Sequence, residues 1–146
     1  MSIALLDVNV LLALAWPSHI HHEAAHDWLS IHQSGGWATC PMTQCSFVRI
    51  SSNLRALPEA VEPVEALALL RMIVARDGHH FWTDDLALYE TIVPADLLSG
   101  YRQVTDFYLL GLAINHGGRL ATFDKGVAAL VSADEASRQA VELIEA

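Results

Sequence analysis

The chain has 146 residues, 53% of them apolar, and a formal net charge of −9. That length suits one domain, residues 1–146, with a sizeable core. The acidic balance argues against a broad, non-specific nucleic-acid binder, and no apolar run reaches the roughly 18 residues of a membrane span. Two cysteines, Cys40 and Cys45, argue against a disulfide scaffold and fit a reducing cytoplasm. The first residues lack a charged segment and a small-residue cleavage site, so no secretory signal is expected.

In chain order, "IALLD" reads as a short buried strand ending in an acid, and "NVLLALAW" as a buried helix stopped by Pro17. "HHEAAHDWLSIHQ" has apolar residues at helical spacing and ends at "SGG". "WATC" reads as a second strand, with Pro41 opening a helix over "MTQCSFVRISSN". "VEPVEALALLRMIVARDG" reads as an amphipathic helix with Pro63 in its first turn and Gly78 after its end. "HHFWT" is a third strand, and "LALYETI" a short helix after it. "TDFYLLGLAINHGG" reads as a helix with Thr105 as N-cap and Gly117 at its C-terminal end. "RLATFD" is a fourth strand, "KGVAALV" a further short helix, and the tail "RQAVELIEA" is read as an edge strand in preference to a helix. Short apolar strands alternating with helices predict an α/β fold: a mainly parallel sheet between two helical layers.

Such sheets bind ligands outside the carboxyl ends of their strands. Asp7 closes the first strand and Asp124 the fourth, Asp84 and Asp85 follow the third, and Asp106 stands in the first turn of a helix. All five are expected towards one edge of the sheet. Each alone has an ordinary explanation as a turn former or helix cap. Asp7 has the weakest one, because its neighbours are almost all apolar and an unpaired buried carboxylate is costly. If Asp7, Asp106 and Asp124 converge at about 4 Å with an effective dielectric near 20, each pair repels by about 4 kcal/mol. A typical hydrogen bond returns about 1 kcal/mol, so the cluster must take up a proton or a cation. Hard oxygens with room for water suit Mg²⁺ or Mn²⁺, which points to metal-dependent phosphodiester chemistry.

The stretches "LLDVNVLLAL", "TQCSFVRISSN", "FWTDDL" and "TDFYLLGLAINHGGRLATFD" resemble the PIN-domain ribonucleases, specifically the VapC-type toxins of bacterial toxin–antitoxin pairs. The resemblance runs from about residue 3 to about residue 127. It implies a three-layer α/β/α sandwich and Mg²⁺- or Mn²⁺-dependent cleavage of RNA by a metal-activated water. It also implies a cognate antitoxin and a homodimer. Carried onto this chain, the metal ligands are Asp7, Asp106 and Asp124, with Asn9 as the polar residue two after the first acid and Thr105 and Thr122 as hydroxyl partners. The family Glu early in the third helix, in a Thr-Glu pair, is here matched to Gln44 after Thr43. That leaves three carboxylates for four and predicts weaker metal binding. Gln44 and Asn9 are expected to orient water or the scissile phosphate, and Arg49 and Lys125 to meet RNA.

Other features compete. His22 and His26 are one helical turn apart, with His19 and His21 nearby, a spacing able to hold zinc; a solvated, His-rich helix start explains them better. The cysteines are expected to pack in the core, and Trp16, Trp28, Trp37 and Trp82 to be core or partner surface. The helices "VLLALAW" and "EALALLRMIVA" fit either a dimer face or an ordinary core. A haloacid-dehalogenase-type phosphatase also opens with an Asp after the first strand, but needs a second Asp where Asn9 stands. A PIN-like binding module without catalysis is the closer rival.

Overall fold

The structure, a computed structural model, describes residues 2–146. Its five strands are β1 (Ala4–Leu6), β2 (Trp37–Thr39), β3 (His79–Phe81), β4 (Arg119–Thr122) and β5 (Val141–Leu143). They form one all-parallel sheet in the order β3-β2-β1-β4-β5. Side chains alternate across it, as a pleated strand requires. Ala4, Leu6, Trp37 and Ala121 face one apolar cluster, while Leu5, Ala38 and Leu120 face the other.

Helices α1 (Val8–Ala15), α2 (His22–His32), α3 (Pro41–Ser51) and α4 (Pro63–Val74) cover the first face. Helices α5 (Val104–Asn115), α6 (Lys125–Leu130) and α7 (Glu135–Gln139) follow on the other. The reason is handedness. From β1 to β3 the chain steps one way across the sheet; afterwards it returns past β1 and steps the other way. Right-handed crossovers then place the two sets of helices on opposite faces. The reversal lies between β1 and β4, the point where open α/β sheets form a crevice.

Asp7 opens α1 as its N-cap, accepting from the backbone N–H of Asn9 and Val10. The other end of α1 is closed by histidines. His22 donates from Nδ1 to the carbonyl of Ala13 (2.7 Å), and His26 from Nε2 to the carbonyl of Leu14 (2.9 Å). These are carbonyls a helix end leaves without a partner, so the two rings serve as caps, and among the described residues no zinc-binding cluster forms. Residues Val10 to Leu14 of α1 are buried, so this helix is core and offers no dimer face. By contrast α4 leaves Val64 and Met72 exposed. All four tryptophans are buried. Cys40 is buried as expected, but Cys45 is exposed.

Four expectations need correction. The helix expected over "LALYETI" is absent: residues 82–103 form a strap of loops with 3-10 turns at Leu88–Glu90, Ala95–Leu97 and Tyr101–Gln103. The strap is held by contacts to α5, among them the Tyr108 hydroxyl donating to the Leu86 carbonyl (2.9 Å). Thr105 does not cap α5, because the last 3-10 turn runs directly into the helix and Gln103 takes the cap position. Helix α7, capped by Asp134, precedes the tail strand and was not foreseen. Finally, Asp85 does not lie at the sheet edge shared by the other acids. It pairs with His116 (2.9 Å) just past the C-terminal end of α5, the far end from Asp106.

Candidate active site

The carboxyl ends of β1 and β4 and the first turn of α5 enclose a cavity of about 70 Å³ at the reversal point. Asp7, Asp106 and Asp124 line it, with Asn9, Thr43, Ser46 and Thr105. Neither Asp84 nor Asp85 reaches it.

Asp7 is 4% exposed. Its Oδ1 accepts from the N–H of Asn9 (2.9 Å) and Val10 (3.2 Å), and its Oδ2 from the hydroxyl of Thr122 (2.5 Å). Burial pushes its pKa up; these three bonds pull it back down, and the charge of Asp124 adds to the rise. Burial, reinforced by the charges of Asp7 and then Asp124, raises Asp106 to about 6. The three acids therefore act on one another, which is the repulsion their convergence demands. Asp124 is exposed and caps α6 through Oδ1, which accepts from Gly126 N–H (2.7 Å).

Thr122 joins two of the acids. Its buried hydroxyl donates to Asp7 and accepts from the backbone N–H of Asp124 (3.0 Å). Fully buried, it orients the acids from below, as a hydroxyl partner.

Gln44 also departs from expectation. Its amide Nε2 donates to Thr39 Oγ1 (3.0 Å), and that hydroxyl is hydrogen-bonded in turn to His79 Nε2 (2.7 Å). It does not line the cavity. A helix turns about 100° per residue, so the stripe of α3 that faces the acids is Met42, Thr43 and Ser46, and Gln44 falls beside it. Ser46 was missed; its only signal was a position three after Thr43. Arg49 is exposed on α3, one turn beyond Ser46. Lys125 lies outside the cavity and lines a wider groove of about 690 Å³ across Asp124, with His21, Phe123 and residues 143–146. There His21 stacks on Phe123, ring centres 4.5 Å apart.

The donor set is three carboxylates with neutral oxygens beside them, which suits a hard divalent cation. Among the described residues, no three His, Cys, Asp or Glu side chains form a ready-made metal cage. An open site of this kind fits an ion that keeps several of its waters, as Mg²⁺ does.

A parallel sheet that reverses between β1 and β4, with acids lining the crevice at the reversal, defines an α/β/α sandwich with an acidic cleft. The chain belongs to the PIN-domain family: the family model described as PIN domain matches residues 4–133. It is 48% identical over 141 residues to Ribonuclease VapC38 of Mycobacterium tuberculosis, covering 97% of each chain. To Ribonuclease VapC39 of the same organism it is 47% identical over 142 residues, 97% of this chain and 99% of the relative. To Ribonuclease VapC44 it is 40% identical over 126 residues, 86% and 88%.

Proposed function

We propose that this chain is a divalent-metal-dependent endoribonuclease, the VapC-type toxin of a toxin–antitoxin pair. One observation carries the reading: Asp7, Asp106 and Asp124, far apart in sequence, share one cavity at the sheet's reversal point, in a chain whose relatives bear the name Ribonuclease VapC. Asp7, Asp106 and Asp124 would hold the ion, Mg²⁺ or Mn²⁺, partly through water. When bound, such an ion lowers the pKa of water and offsets charge on a phosphate. Asn9 and Thr105, both exposed on the cavity rim, orient water or the scissile phosphate. Arg49, exposed on α3, and Lys125, next to Asp124, would attract the neighbouring phosphates of RNA.

The partners follow from the same reading: an RNA substrate, a cognate antitoxin that reaches towards the site, and a second copy of the chain, for which the exposed α4 residues Val64 and Met72 are available. The cytoplasm is the place for such a pair. No helix among the described residues is long and apolar enough to cross a membrane.

The test is cleavage of RNA by the purified chain with Mn²⁺, with EDTA, and as Asp7→Asn. Metal-stimulated cleavage abolished by chelation and by the substitution is expected; an Asp7→Asn protein as fast as wild type overturns the assignment. The lack of a ready-made three-donor cage favours one rival, a binding module without catalysis. It requires little Mn²⁺ affinity and no metal-stimulated cleavage.

A further inference from the structure

We propose that Ser46, and not Gln44, is the α3 residue that meets the substrate, its hydroxyl donating a hydrogen bond to a phosphate oxygen held at the acid cavity. This rests on the ribonuclease reading above and concerns how that site grips its substrate.

A phosphodiester offers only acceptors, and so do three ionised carboxylates. The cavity must therefore supply donors from its neutral residues. Thr43 is already committed, its hydroxyl donating to the Cys40 carbonyl (3.1 Å). Thr122 is committed to Asp7. Ser46 is not. A serine on a helix can turn back onto a carbonyl three or four residues earlier, as Ser30 in α2 does on Asp27 (2.8 Å). Among the described residues Ser46 has no such bond and no other hydrogen-bond partner, and it lines the cavity with the three acids.

Its setting separates it from the other free donors. Asn9 and Thr105, in the first turns of α1 and α5, are exposed, whereas Ser46 is half-buried in the second turn of α3, whose start carries Pro41 and the Cys40 N–H bonded to Thr43 Oγ1. A donor held on a rigid helix loses less freedom on binding. One turn further on the same helix stands Arg49, exposed and without an ion pair among the described residues, in line to take the next phosphate along a strand. A neutral hydroxyl adds little to a site already built from carboxylates, so metal affinity should be indifferent to it while substrate binding is not. Gln44 does not line the cavity, and its amide Nε2 is turned away to donate to Thr39.

The experiment compares wild type, Ser46→Ala, Ser46→Thr, Ser46→Glu and Gln44→Ala as full chains. Two readouts are used: calorimetric titration with MnCl2 alone, and steady-state cleavage of a short single-stranded RNA. Ser46→Ala, which favours the helix, is expected to lower kcat/KM roughly 10- to 100-fold, the loss of a hydrogen bond to a charged group, with Mn²⁺ affinity within about twofold. Ser46→Thr restores most of it. Ser46→Glu tightens Mn²⁺ binding and raises KM, because a fourth carboxylate repels the phosphate. Gln44→Ala lowers kcat/KM less than Ser46→Ala does. A Ser46→Ala protein with unchanged kinetics overturns the proposal, as does one whose loss lies wholly in Mn²⁺ affinity, or a Gln44→Ala protein with the larger defect. A wild-type chain that neither binds Mn²⁺ nor cleaves RNA overturns the ribonuclease reading itself, and this assignment with it.

Discussion

Asp7 and Asp124 each hold two roles, since both cap the helix that follows them and both line the cavity. Asparagine caps nearly as well as aspartate, and alanine does not. Asp7→Asn is therefore expected to keep the fold and to lose RNA cleavage by more than the 10- to 100-fold typical of outer partners, whereas Asp7→Ala also loses about 1 kcal/mol of stability, measurable by urea denaturation. Asp106 differs, because in the folded chain its pKa is raised from 3.8 to about 6. The folded state thus holds this proton more tightly than the unfolded one. The stability it contributes is complete below about 3.8 and is lost as pH rises through 6. Without metal, Asp106→Asn is expected to be more stable than wild type at pH 7.5 by on the order of 1 kcal/mol, after allowing for solvent screening of a half-exposed group. Its melting temperature should also change less between pH 4 and pH 7, and a wild-type pH profile left intact in the variant would contradict this. Thr122→Val strips Asp7 of a donor and the Asp124 N–H of an acceptor. It should cost about 1–3 kcal/mol and weaken Mn²⁺ binding roughly 10- to 100-fold.

The strands and most helices could be read from short apolar runs, from prolines at helix starts and from Gly117, whose φ of +72° ends α5. What could not be read was decided by docking. The strap over residues 82–103 contains enough helix-forming residues to mislead, yet its path is set by α5. At Gly111 a Cβ would stand 2.0 Å from Thr91 Oγ1 and 2.7 Å from Thr91 Cβ. Alanine for glycine inside a helix gains up to about 1 kcal/mol, while forced overpacking costs about 1–3 kcal/mol, so the clash wins. Gly111→Ala is expected to lower the melting temperature, and adding Thr91→Gly to recover most of the loss; additive losses would show that the strap does not rest there. Gln44 failed for a related reason. Thr43 and Gln44 are neighbours in sequence but 100° apart around the helix, and only the seating of α3 against β2, with Gln44 bonded to Thr39, says which one faces the acids.

For the whole molecule, alternating elements made the parallel sheet and the carboxyl-end position of the acids legible, but not the strand order that brings Asp7 beside Asp124. If the acids hold a cation as proposed, that order couples its binding to folding. A cation at about 100 times its dissociation constant stabilises by about 2.7 kcal/mol, roughly 8 °C for a domain of this size. Mn²⁺ should raise the melting temperature of wild type by about that much, EDTA should reverse it, and Asp106→Asn should show less than half of it. An equal shift in that variant would place the ion elsewhere.

The pairing of β1 with β4 has a consequence for synthesis. A chain emerging from the ribosome grows at about 5–20 residues per second, and its first acid is exposed long before its last. Until β4 is seated, β1 has an open flank and the cavity lacks Asp124. On the proposed assignment of Asp124, a translating copy of this protein is expected to leave the RNA around it uncut until nearly the whole polypeptide has been made.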